Sequence, residues 1–188
     1  KENADKKLHF SYTVAAPHTS ADLDYHSTTA LTGTIKDKAG NDATLTLPNL
    51  SATGSLSANA AVVVDGVRPA VTNVTSTTTD GSYNHVDDGG GDNAIAITVT
   101  FDDEVYVSGT PTITLETGPA NGTASYASGS GGATLTFTYT IGAGHTSGDL
   151  AYTGTDGLAA AGGAWIRDAN STDANTATLT LPGVGNAG

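Results

Sequence analysis

The chain has 188 residues, 24 of them glycine, no cysteine or methionine, and a formal net charge of −12. That length accommodates one or two domains with modest cores, and the missing cysteine excludes disulfide staples and thiolate metal sites. Seven basic residues against nineteen acidic ones exclude the cationic footprint that nucleic acid or an anionic lipid surface requires.

Taken from the N-terminus, LHFSYTV (Leu8–Val14) alternates apolar and polar residues, the period of a half-buried strand. ATLTL (Ala43–Leu47) and AAVVVD (Ala60–Asp65) read as further strands, the first preceded by the turn DKAGND. AIAITVTF (Ala94–Phe101) puts Ile95, Ile97, Val99 and Phe101 on one face, and FDDEV reads as the turn that ends it. TITLE (Thr112–Glu116) and LTFTYTI (Leu135–Ile141) follow, the second with Leu135, Phe137, Tyr139 and Ile141 on one side and threonines on the other. Gly, Asp and Asn clusters (DDGGGDN, VSGTP, GPANG, SGSGG) punctuate these runs, because those residues tolerate turn backbones that strand formers resist. No window carries a helical period, and no apolar run approaches the ~20 residues of a membrane span. The expected fold class is all-β, an antiparallel β-sandwich.

An internal repeat organises the chain. LHFSYTVAAPHTSADLDY (Leu8–Tyr25) returns as LTFTYTIGAGHTSGDLAY (Leu135–Tyr152), and DATLTLP (Asp42–Pro48) returns as TATLTLP (Thr176–Pro182). The second copy carries extra residues around Gly154–Asn175, and IRDANSTDAN stands where the first has IKDKAGND. Residues 1–68 therefore read as the C-terminal part of one repeat. Residues 69–188 read as most of a second, lacking a counterpart of SLSANAAVVVDG (Ser55–Gly66). That makes about one and a half copies. Residues 1–68 carry seven acidic and six basic side chains, whereas 69–188 carry twelve acidic residues and one cation, Arg167.

The blocks TPTITLETG, LTFTYTIGAGHTSGDLAY, IKDKAGNDATLTLP and VVVDGVRPAVTNVTS resemble the Ig-like repeats strung in tandem in very large bacterial extracellular proteins and adhesins. The resemblance covers nearly all of the chain from Leu8 onward. It implies Ig-like sandwiches, an extracellular or cell-surface location in a bacterium, and a structural or adhesive role. It also implies calcium at the junctions between repeats. Asp65 of VDGVRP would supply one carboxylate there, with Asp102, Asp103 and Glu104 supplying others, since Ca²⁺ gathers about six to eight oxygens. Asp87, Asp88 and Asp92 form a second acidic candidate, and Asp37 with Asp42 a third. As turn residues, all of these aspartates have a plain structural reading too.

Chemistry beyond calcium finds little support. His18 and His145 are repeat equivalents, a feature of the unit rather than of one site, and His9, His26 and His85 share no HxH or HExxH spacing with them. GxSxG is absent. Residues 69–188 contain no lysine, which excludes a Lys–Asn isopeptide bond there. Tyr83, Tyr106 and Trp165 are candidates for a sugar-stacking platform, although Trp165 replaces Thr34 of the first copy and reads more readily as packing of the inserted loop. Sequons stand at Asn73, Asn121 and Asn170.

The expected role is therefore not enzymatic. It is a structural repeat module, a stalk, extender or filament-forming subunit whose partners are neighbouring repeats or identical subunits head to tail. A calcium-dependent adhesin domain that binds a glycan or another ligand is the alternative. The missing last strand of the second copy predicts an open slot, filled by continuing polypeptide or by a neighbour's strand bearing Val62 and Val64.

Overall fold

The computed structural model describes residues 7–86, 93–168 and 175–184. Two compact units divide the chain, Lys1–Val67 and Arg68–Gly188. The protein is nearly all β; among the described residues the one α-helix, α1 (Leu56–Asn59), is a single turn, capped by the Ser55 hydroxyl accepting from the Ala58 N–H.

The second unit contains an antiparallel sheet built from β3 (Val71–Ser76), β4 (Ala94–Ser108), β5 (Thr112–Glu116), β6 (Gly122–Ser128) and β7 (Gly132–Thr140). Three short strands complete it: β8 (Ala151–Tyr152), β9 (Leu158–Ala159) and β10 (Trp165–Asp168). The order is β10-β4-β7-β6-β5-β8, with β3 also on β4 and β9 also on β5. Ile95, Ile97 and Val99 face Tyr139, Phe137 and Leu135 across the β4–β7 ladder, and Ile113 faces Ala124 across β5–β6. All are buried, together with Phe101, Val105, Leu115 and Ile166, so the period-two faces of the sequence converge on one core. Gly122 belongs to that packing: a Cβ there would lie 2.6 Å from the Tyr139 ring.

FDDEV is not a turn. It lies inside the fifteen-residue β4, at a register shift between Thr100 and Val105. The irregularity lets one strand serve two ladders: its first half pairs with β3 and β7, and Val105–Ser108 pair with β10.

The first unit has far less ladder. Its strands β1 (Thr19–Ser20) and β2 (Val64–Asp65) pair as Thr19↔Asp65 and Ser20↔Val64. Ala43–Leu47 forms no strand, and of Ala60–Asp65 only the last two residues do. Leu8–Val14, the counterpart of β7, has no strand partner either. Leu8, Phe10, Tyr12 and Val14 are consequently exposed, Phe10 at 77%, whereas Leu135 and Phe137 are fully buried and Tyr139 is at 2%. Counterparts of β3–β6, which cover this face in the second unit, are absent from the first among the described residues.

Candidate functional site

Both units carry the same three clasps at repeat-equivalent positions. In the first clasp, the Tyr12 hydroxyl meets His18 Nδ1 at 2.6 Å, and the Tyr139 hydroxyl meets His145 Nδ1 at 2.7 Å. The rings are stacked, with centroids 5.7 and 6.0 Å apart. The amides of Ala15 and Gly142 also donate to those Nδ1 atoms, at 3.4 and 3.2 Å. In both units the tyrosine hydroxyl and the imidazole nitrogen share one hydrogen bond, whose donor is set by the histidine tautomer. Burial pushes the Tyr139 phenol up from its ordinary value, against a smaller downward pull from the Thr117 side chain.

In the second clasp, the hydroxyls of Tyr25 and Tyr152 donate to the carbonyls of Pro48 and Pro182, at 2.5 and 2.7 Å. The amides of Leu47 and Leu181 donate to the carbonyls of Thr28 and Thr155, both at 2.8 Å. In the third, Asp37 accepts from the backbone and side-chain amides of Asn41, each at 2.8 Å, and its own N–H returns to the Asn41 carbonyl. Asp168 does the same with Asn175, at 3.2 and 2.6 Å, with its N–H likewise on the Asn175 carbonyl. The loops IKDKAGND and IRDANSTDAN therefore share one closure despite their different lengths. Motif spacing hid this, because the insertion falls between the two clasping residues. Asp168 is buried at 3%, while Asp37 is exposed.

The two units differ at one sheet edge. In the first unit the edge His18–Leu23 is covered by the chain around β2: Gly66 N–H donates to the His18 carbonyl and Leu23 N–H to the Val62 carbonyl, both at 2.8 Å. Gly66 is obligatory for this approach, since a Cβ would lie 2.8 Å from the Ala15 carbonyl oxygen and 3.0 Å from that of His18. In the second unit the equivalent edge, His145–Leu150, runs into β8 at the end of the sheet order, and no strand covers it among the described residues. A groove of about 630 Å³ opens there. Val74–Ser76 of β3 and His145–Tyr152 form its walls, with Ile95, Ile97, Leu115, Tyr139 and Ile141 among its apolar lining.

The carboxylates picked out for calcium are spread over both units. Asp65 belongs to the first, where it accepts from the Val67 N–H at 3.0 Å. In the second, Asp102 accepts from the Ala70 N–H at 2.7 Å and Asp103 from the Glu104 N–H at 2.7 Å, and all three acidic residues of this bulge are solvent-exposed. Among the described residues, no three His, Asp or Glu side chains converge as a metal site. Asp37 is committed to Asn41, and Asp42 pairs with Lys36. Asp87, Asp88 and Asp92 lie outside the described residues, as does Asn170.

Trp165 sits on β10 with the Arg167 guanidinium 4.7 Å above its ring centroid, so the only cation of residues 69–188 occupies one aromatic face. Tyr106 pairs with Arg167 across the β4–β10 ladder, but Tyr83 lines the groove instead; the three aromatics do not form one platform. Pro69 is buried in the second unit, its carbonyl accepting from Thr178 N–H at 2.7 Å. No described helix is long and apolar enough to cross a membrane. No family model, curated protein or solved structure matches the chain.

Proposed function

We propose that this chain is a segment of a tandem array of Ig-like repeats, a structural module that acts as a stalk or extender in a secreted or cell-surface bacterial protein. One observation carries the reading: the Tyr–His, Tyr–Pro and Asp–Asn clasps recur in both units at equivalent positions. A catalytic or ligand site belongs to one place, whereas groups that close loops and orient strands are needed in every unit of an array. Each clasp ties a loop to the strand beside it, so that a unit keeps its shape under load without disulfides. The strong acidic excess keeps such a surface hydrated and self-repelling.

Binding separates this role from the adhesin alternative. The chain, probed on a glycan array with and without calcium, is expected to give no saturable signal. A reproducible glycan hit that disappears in Trp165→Ala would overturn the spacer reading and assign the exposed β4–β10 face to ligand capture.

A further inference from the structure

We propose that Asn121–Gly122 is a self-modification site, where the asparagine side chain turns into a carboxylate through a succinimide, and that the Thr117 hydroxyl holds it shut. The chemistry needs only the second unit and does not depend on that unit being a repeat.

Succinimide formation is intramolecular. The Gly122 backbone nitrogen gives up its proton to solvent base and attacks Asn121 Cγ, the side-chain carbonyl carbon. A C–N bond forms between them and the bond from Cγ to the side-chain nitrogen breaks. That nitrogen leaves as ammonia, with a proton taken from water. Water then opens the ring at either carbonyl, giving aspartate or isoaspartate, and no oxidant or cofactor enters. Of all the asparagines in the chain, Asn121 alone precedes a glycine, the residue that leaves the attacking nitrogen unshielded by a side chain. Asn121 is exposed, so water and base reach it.

The amide that must react is the one held back. Gly122 is buried at the start of β6, and its N–H donates to Thr117 Oγ1 at 2.7 Å. Thr117 is 2% exposed, and its hydroxyl donates in turn to the Ala120 carbonyl at 2.8 Å, so one oxygen ties the chain on both sides of Asn121. The turn is also fixed from outside, because the Thr117 carbonyl accepts from the Thr146 N–H at 3.0 Å. Gly118, at φ +88°, lies where a Cβ would come within 2.8 Å of Thr146 Oγ1. Gly122 cannot turn toward the Asn121 side chain without leaving its Leu115 partner and the Tyr139 ring beside it. The reaction is therefore confined to moments when this end of the β5–β6 hairpin opens. It is also one-way. Isoaspartate adds a methylene to the main chain next to Gly122, so the Leu115↔Gly122 register is not restored. Either product adds a negative charge to residues 69–188, which already hold twelve acidic side chains and one cation. A unit that has been opened is thus permanently marked.

The experiment follows Asn121 by peptide mapping and mass spectrometry in the full chain and in a synthetic peptide of residues 116–126. Both are held at mildly alkaline pH. The peptide should convert at Asn121, and the folded chain should lag it by about a hundredfold or more. Thr117→Val removes the hydroxyl but keeps the shape, and should speed conversion in the chain roughly tenfold. Thr117→Ser keeps the hydroxyl and should return the rate close to wild type. Amide exchange separates a local guard from general loosening: in Thr117→Val it should quicken at Gly122 and stay unchanged at Phe137. Chain and peptide converting at the same rate overturn the proposal, as does Thr117→Val converting no faster than wild type. Equal quickening at Gly122 and Phe137 overturns the guard role of Thr117. If Thr117→Val proves unfolded by circular dichroism, the wild-type chain in graded sub-denaturing urea decides. Conversion must then rise in parallel with Gly122 exchange, and a rate indifferent to that exchange overturns the proposal.

Discussion

At the scale of single residues, the duplicated clasps differ in what surrounds them, and the same substitution should have unequal effects. Asp168 is buried and accepts two amide hydrogen bonds from Asn175, so Asp168→Ala strands part-buried donors and is expected to cost about 1–3 kcal/mol. Asp37→Ala removes the same bonds at an exposed site, where water replaces them, and should cost much less. Urea unfolding followed at Trp165 reads the first, and amide exchange at Asn41 reads the second. Tyr152→Phe should cost about 1 kcal/mol through the Pro182 carbonyl. Acid should act on the first unit through two carboxyls held below their ordinary value, Asp24 chiefly by the Ser57 hydroxyl and Asp37 chiefly by the Asn41 side chain. A depressed folded value means that the contribution is present above the unfolded value and is lost as pH falls through the folded one. Local order around Ser51 and Asn41 should therefore persist at neutral pH and fade only below the ordinary carboxylate range. In Ser57→Ala, carboxyl titration followed by NMR should move Asp24 upward and leave Asp37 in place.

Among elements, β7 and its counterpart Leu8–Val14 make the sharpest comparison. They share the same Leu, Phe and Tyr along one face, yet β7 lies between β4 and β6 and buries Leu135 and Phe137 completely, while Phe10 is mostly in water. Phe137→Ala should cost about 3–5 kcal/mol in denaturant midpoints, the usual range for emptying a core position. Phe10→Ala should be close to neutral for the isolated chain. Equal losses at the two positions would mean that the first unit buries its stripe in solution. The β4 bulge makes a second element-level point. Asp102, Asp103 and Glu104 are exposed at an interruption of the ladder that lets Val105–Ser108 turn to β10, and Asp102 fastens the start of β3 through the Ala70 N–H.

Across the molecule, stability should be strongly uneven. The second unit holds continuous ladders around one core, and the first holds two short strands and hydrogen-bonded loops. Native-state amide exchange should be slowest at Val99, Leu115 and Phe137 and much faster through residues 8–60, because opening free energy follows buried contact. Limited proteolysis should cut the first unit before the second and accumulate a fragment beginning near Arg68. Comparable exchange protection in the two halves would contradict this account.

Alternation in AIAITVTF, TITLE and LTFTYTI was enough to assign those strands and their buried faces, since a side-chain period of two leaves one choice of face once a core exists. The repeat was equally legible, because collinear motifs do not depend on contacts. Turn chemistry misled at FDDEV, where acidic residues that commonly make turns sit instead on a bulge inside one long strand. Ala43–Leu47 and most of Ala60–Asp65 had strand-like sequences but lack a full ladder, because strand formation is completed by a partner and not by the segment itself. Trp165 stands out in the sequence, and its place on β10 puts Arg167, two residues on and on the same face, over its ring. The clasp shared by Asp37–Asn41 and Asp168–Asn175 was hidden by an insertion between the partners, and only folding brings them together. By itself the sequence determined which faces are apolar and which segments are copies. The tertiary structure alone decided which of those faces are covered, because burial depends on the strands that pack against a segment, and identical residues lie in core in one unit and in water in the other.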